Sequence, residues 1–256
     1  MKRLKKRYDL FVFLFLFLII LFLTLNLILG LNTNIYILAA YLCILVFAFC
    51  IFKVLNEWII IQKQLFLFGQ PLSQEQFLFL KSFALQPKIK IVRSLMTALS
   101  LFTQNEKEEA IVHINQAWNK IQRLSNAVSN IRLQGRVNAC YLLLHYLAGE
   151  EVSNIVIDKR YDKDDQLVIQ FLQHLSTCKK SEICLDDLFE LESSLEQVKS
   201  VFYRQYLTLL LNRQRYALQP QRAIEEITQL YEVSNLDDVK QQCAASLQLW
   251  ERKEEI

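Results

Sequence analysis

Only four glycines and three prolines occur in 256 residues, both well below ordinary usage. A chain so poor in turn formers cannot make the many tight hairpins that sandwiches and barrels need. It also lacks the glycines of a dinucleotide-binding or phosphate-cradling loop. Neither His-Glu-x-x-His nor Gly-x-Ser-x-Gly occurs, and there is no Asn-x-Ser/Thr acceptor. The six cysteines are too few and too dispersed for a disulfide scaffold. With no glycosylation acceptor, this agrees with a reducing, non-secreted location. What remains is a chain expected to be helical almost throughout.

Charge of one sign is scarce in most of the chain. The net charge is +3, but residues 1–69 hold 7 Lys/Arg against 2 Asp/Glu. The remainder holds 22 Lys/Arg against 24 Asp/Glu. The basic excess therefore belongs to the first segment. The larger part has no positive surplus to attract phosphates, so a nucleic-acid partner is not expected.

Apolar residues are concentrated at the start, where 10 of the 17 Phe precede residue 70. Leu10 to Leu29 is an apolar run broken only by Thr24 and Asn26, long enough to cross one hydrocarbon core as a helix. Ile35 to Phe52 is a second uncharged run, and only Gly30 to Asn34 separates the two. So short a loop implies an antiparallel two-helix transmembrane hairpin. No small-x-small cleavage site follows the first run, so a removed signal peptide is disfavoured. Lys2, Arg3, Lys5, Lys6 and Arg7 precede the first run, Lys53 and Lys63 follow the second, and the loop has no basic residue. Both termini are thus expected in the cytoplasm. Residues 54–68 stay apolar, with Asn56, Glu57, Gln62, Lys63 and Gln64 interspersed. They read first as an extension of the second helix, and second as a segment along the headgroup surface. The expected organisation is a hairpin anchor over residues 1–69 in the inner (cytoplasmic) membrane and a cytoplasmic domain over 70–256.

After Gly69-Gln70-Pro71, helical signals follow one another. Ser73 with Gln76 is a capping-box pattern, and the helix it opens should stop before Pro87. Asn105 with Glu108 predicts the start of a helix whose Ala110, Ile114, Ala117 and Ile121 share one face. Val137, Cys140, Leu144 and Leu147 repeat the spacing, with Gly149 as a C-terminal cap. Asp158 to Asp165 reads as a solvated turn. Leu167, Phe171 and Leu175 form the next stripe, and Leu185 to Val198 another, which is read as able to run on into Val201 to Leu211. Pro220 suits a first helical position. Asn235 with Asp238 predicts a last helix carrying Val239, Cys243, Leu247 and Trp250. Eight or nine narrow-striped helices with short connections must stack in pairs.

Residues 92–121 resemble one tetratricopeptide repeat. Ala98 on the first helix and Ala110 and Ala117 on the second stand where that family places small residues, with Leu101 and Ile114 at the larger packing positions. Alanine there lets two helix axes approach closely. The 34-residue period does not continue: Arg132, Leu144 and Glu151 occupy the next equivalents. A second Ala-Ile-x-x-Ile opening at Ala223 is out of register. The likeness therefore implies a degenerate tetratricopeptide-like helical-hairpin domain, set against a non-repeating bundle. A two-helix anchor ahead of such a domain is also similar in architecture to the HemY family of bacterial inner-membrane proteins, associated with haem biosynthesis. This sequence lacks that family's long external loop and basic linker.

Chemistry-bearing residues are sparse. His174, Cys178 and Cys184 have metal-ligand character, but a structural zinc site needs four donors, and no fourth stands at a convincing spacing. Asp158, Asp162, Asp164 and Asp165 lack the alternation and central glycine of a calcium loop. Lys159, Arg160 and Lys163 neutralise them. His113 and His145 lie on ordinary helices. No catalytic, cofactor-binding or metal residue is assigned. Trp118, Tyr141, Tyr203, Tyr206 and Trp250, with Tyr216, are the candidates for contact with a protein partner, although helical spacing fits core positions equally. The expected function is a non-enzymatic membrane-anchored adaptor that concentrates a protein or peptide at the bilayer. The rival readings are an accessory subunit of an inner-membrane complex, whose hairpin would use Asn26, Cys43 and Cys50, and a membrane-associated enzyme of lipid or haem metabolism.

Overall fold

A computed structural model describes residues 20, 24, 35–82, 87–124, 128–150, 154–180 and 183–254. The described residues are all-helical, with no strand and ten α-helices. These are α1 (Ile35–Gln62), α2 (Gln74–Ser82), α3 (Pro87–Thr103), α4 (Lys107–Ile121), α5 (Val128–Leu147), α6 (Lys163–Lys180), α7 (Leu185–Gln197), α8 (Val201–Arg215), α9 (Pro220–Val233) and α10 (Asp237–Glu254). A π-helical turn, Lys63–Leu67, follows α1 directly. The chain divides into two compact units, Met1–Trp58 and Ile59–Ile256.

In the first unit the run expected over residues 10–29 lies outside the described residues, apart from Ile20 and Thr24. The second run is helical, and α1 continues beyond Phe52 to Gln62, the helix extension read first for residues 54–68. The stretch Ile44–Leu67 is long and apolar enough to cross a membrane. Ile44 and Phe47 are each 63% exposed. So many bare apolar side chains would be costly in water and are at home in hydrocarbon.

The second unit is built by neighbours in sequence packing on one another from α2 through α10. Ser73 and Gln76 form the expected capping box, with the Ser73 N–H donating to Gln76 Oε1 at 2.9 Å and the Gln76 N–H to Ser73 Oγ at 3.3 Å. Pro220 opens α9, and Gly149, at φ +81°, follows the end of α5. Between α3 and α4, Ala98, Ala110, Ala117 and Ile114 are fully buried. Asn105 is not the helix cap expected of it. At φ +65° it makes the left-handed turn that closes α3, and Glu106 precedes α4.

Two other boundaries differ from the sequence reading. The stripe of α7 does not run into α8, because Asp164 accepts the N–H groups of Lys199 at 3.2 Å and Ser200 at 2.8 Å. Ser200 then caps α8 through its hydroxyl. Nor is Asp158–Asp165 wholly solvated: Asp164 and Asp165 lie in the first turn of α6, and Asp165 is fully buried.

Helix α8 is the centre of this unit. Phe202, Tyr203, Tyr206, Leu207, Leu209 and Leu211 are all buried, so the helix is apolar on most of its circumference, as a fully enclosed helix should be. It packs on α7, α9, α10 and the π-helical turn. The last helix also returns to the early ones. Helix α10 packs on α3, and Lys107 reaches Asp238 at 3.9 Å.

Candidate functional site

The aromatic residues singled out by sequence fall into three places. Tyr203 and Tyr206 are fully buried on α8, which accounts for both as core. Trp118 and Tyr141 are half-buried on α4 and α5. Their rings stack at 5.0 Å and 22°, and Tyr141 leans on His145 at 4.2 Å. The imidazole of His145 is held by Glu150 on one nitrogen and by Asn115 Oδ1 at 3.0 Å on the other. The third place is the α8–α10 face, where Tyr216 and Trp250 stack at 4.3 Å and only 4°.

That last pair walls an open groove of about 570 Å³ lined also by Arg213, Ala217, Ala245, Ser246 and Leu249. Trp250 and Ser246 are buried, so Tyr216, Ala245 and Leu249 present most of its open surface. Arg213 is fixed across it, donating to Ser246 Oγ at 3.0 Å and to the Gln242 carbonyl at 3.2 Å. Leu249 is 55% exposed at the rim. A rigid aromatic wall, an apolar rim and an anchored guanidinium are what a peptide or helix face needs for a short apolar anchor beside a carbonyl or carboxylate. Tyr216 is among the sequence candidates, whereas Leu249 is not, because helical spacing alone does not separate rim from core.

Deeper in the unit, α5, α6, α8 and the π-helical turn meet in a polar network. Arg136 donates to Asp165 Oδ1 at 2.6 Å, and the Tyr203 hydroxyl donates to the same oxygen at 2.9 Å. Cys140 Sγ lies 3.3 Å from that hydroxyl. The guanidinium also sits 4.3 Å over the Phe66 ring. Burial disfavours the Arg136 charge, but Asp165 beside it prevails and raises its pKa above the usual arginine range. Burial pushes the Cys140 thiol up to about 12 and the Tyr203 hydroxyl well above its usual range. Neither is then a nucleophile at neutral pH. The network ties the turn after α1 to the core. Ser200 Oγ donates to the Phe66 carbonyl at 2.7 Å, so the end of the apolar stretch is bonded to the N-terminus of α8.

A second arginine is buried between α7, α8 and α9. Arg215 is 1% exposed and donates to Asn212 Oδ1 at 2.7 Å, to Glu226 and to Glu192. Arg222 engages the same two carboxylates. No sequence motif marks either network, since each joins residues far apart in the chain.

His174, Cys178 and Cys184 are brought to one place, at the end of α6 and the start of α7. Asp187 joins them, a residue the sequence reading passed over. The donor atoms of His174, Cys178 and Asp187 lie within 4.8 Å of one another. His174 Nε2 is 3.2 Å from Asp187 Oδ1, and Cys184 Sγ is 2.9 Å from Asp187 Oδ2. Cys184 and its backbone N–H, then His174, hold the Asp187 carboxyl down at about 2. These are residues able to hold a metal. The four calcium-loop candidates are instead engaged by other groups: Asp158 by Arg160, Asp162 and Asp165 by Arg136, and Asp164 by the Lys199 and Ser200 N–H groups.

No family model, curated protein or solved structure matches the chain.

Proposed function

We propose that this chain is a membrane-anchored helical adaptor that holds a protein or peptide at the bilayer surface and carries out no chemistry of its own. The anchor is a two-helix hairpin of about residues 10–29 and 35–52, with α1 extending beyond the second span, and both termini are cytoplasmic. The domain beyond it is of tetratricopeptide-like character in its α3–α4 hairpin. One observation carries the reading: an apolar helix left largely bare among the described residues runs directly into a turn that is hydrogen-bonded to Ser200 of the helical unit. That is the construction of a tether.

The binding face in this proposal is the Tyr216–Trp250 groove, with Leu249 at its rim. Anchoring raises the local concentration of whatever the groove holds, without new contacts. The test is co-purification of the full chain in mild detergent. The adaptor reading expects a stoichiometric soluble partner that is lost on Leu249→Asp, a change at an exposed position. Stoichiometric capture of integral membrane proteins alone, unaffected by Leu249→Asp, would support the accessory-subunit reading instead.

A further inference from the structure

We propose that His174, Cys178, Asp187 and Cys184 form a tetrahedral zinc site that staples α6 to α7. This site lies apart from the groove and does not depend on the adaptor reading. His174 and Cys178 are one turn apart on α6, so their side chains share a face. Asp187 stands at the third position of α7, and its carboxylate is held there by the Cys184 backbone N–H at 3.0 Å. Two independent helix ends therefore deliver imidazole, thiol and carboxylate to one point.

Tetrahedral zinc bonds of about 2.0–2.3 Å place neighbouring donors roughly 3.3–3.8 Å apart. The 3.2 Å between His174 Nε2 and Asp187 Oδ1 is already close to that spacing, and the three-donor cluster within 4.8 Å needs only a small contraction. Cys184 is exposed at the N-cap, with its sulfur against the far oxygen of Asp187. A side-chain rotation there supplies the fourth donor. Cys178, by contrast, is buried, so one thiolate would be shielded and the other would close the site from outside.

The surroundings suit a metal-bound histidine. The second imidazole nitrogen, Nδ1, lies 3.6 Å from Glu190 Oε2. That separation is too long for a hydrogen bond, but a carboxylate so near the outer nitrogen is placed to accept from it once Nε2 is bound, the arrangement seen repeatedly behind zinc-ligating histidines. Two thiolates, an imidazole and a carboxylate favour zinc over magnesium or calcium, which prefer oxygen donors. Binding displaces the two thiol protons to solvent, and neither oxidation nor reduction takes place. The sequence spacing, His-x3-Cys-x5-Cys-x2-Asp, hid the site because its fourth donor is an aspartate on the next helix.

The test uses the full chain in detergent, reduced, stripped with a chelator and desalted, then supplied with zinc alone or cobalt alone. The proposal expects about one zinc retained per chain after gel filtration, and a cobalt form with tetrahedral d–d bands and sulfur-to-cobalt charge transfer. Cys178→Ser and His174→Gln should each lose the retained metal, whereas Cys50→Ser should keep it. A measurement on the unaltered chain guards against variants that fail to fold: alkylation of Cys184, read by peptide mass spectrometry, should be lost on adding zinc and return with chelator. Absence of stoichiometric zinc would overturn the site. So would metal retention unchanged in both ligand variants, or Cys184 alkylated equally with and without zinc.

Discussion

The seam between α3 and α4 and the seam where α5, α6 and α8 meet are both buried, yet they are held by opposite means. The first is dry: Ala98, Ala110, Ala117 and Ile114 are fully enclosed, and small side chains let the helices approach. The second is polar: Arg136, Asp165, Tyr203 and Cys140 form one hydrogen-bonded chain under aromatic rings. A dry seam fails by overpacking, and a charged seam fails by losing one partner. The contrast can be tested by breaking each seam in its own way.

Asp165→Ala should have the greatest effect. It leaves the half-buried Arg136 with only the longer contact to Asp162, at 3.6 Å, and removes the acceptor of Tyr203, which should destabilise by about 3 kcal/mol, the low end for a broken buried pair. Urea unfolding of the detergent-solubilised chain reads this. Replacing both partners, as Arg136→Met with Asp165→Leu, should recover most of the loss, because an apolar pair of similar volume often matches a buried ion pair. If the double replacement is as damaging as the single one, the seam depends on more than charge pairing.

Next come Ala110→Leu and Ala117→Leu, each expected to overpack the dry seam by roughly 1–3 kcal/mol. Effects under about 0.5 kcal/mol at both sites, ordinary for a surface position, would show the helices are not closely packed there. Ser73→Ala tests neither seam. Losing the α2 cap should cost about 1 kcal/mol, smaller than either, and so calibrates the comparison.

The smallest effect belongs to an exposed pair. Asp158 is held down at about 2, chiefly by the Arg160 guanidinium and also by its backbone N–H. Its folded-state pKa lies below the ordinary value of about 3.9. The stabilisation is therefore complete above that value and is lost as pH falls from there toward about 2. Arg160→Ala should move the Asp158 titration, followed by NMR, back toward the ordinary carboxylate range. An unchanged titration would mean that Arg160 is not the cause.

The dry seam was legible in the sequence and the polar one was not, for a physical reason. Alanines at helical spacing, the Ser73–Gln76 box, Pro220 and Gly149 are local patterns, readable within one or two turns. The break before α8 depends on Asp164, 36 residues from Ser200. The burial of Asp165 depends on Arg136, 29 residues away. Charged residues in a row between helices look solvated until their partners are known. Tyr203 and Tyr206 illustrate the same limit. On a helix enclosed on nearly all sides, helical spacing does not distinguish a core aromatic from a binding one. Asp187 was missed because a metal-ligand pattern was sought in sulfur and imidazole alone, within one stretch of sequence.

The anchor is tested most directly by site-directed thiol labelling of the full chain in intact cells, in a background without other accessible thiols. With a two-helix hairpin and cytoplasmic termini, Asn32→Cys should react with a membrane-impermeant reagent from outside. Glu254→Cys should react only after the membrane is opened. Labelling of Glu254→Cys in intact cells, or protection of Asn32→Cys until lysis, would contradict the hairpin and with it the adaptor's place at the membrane.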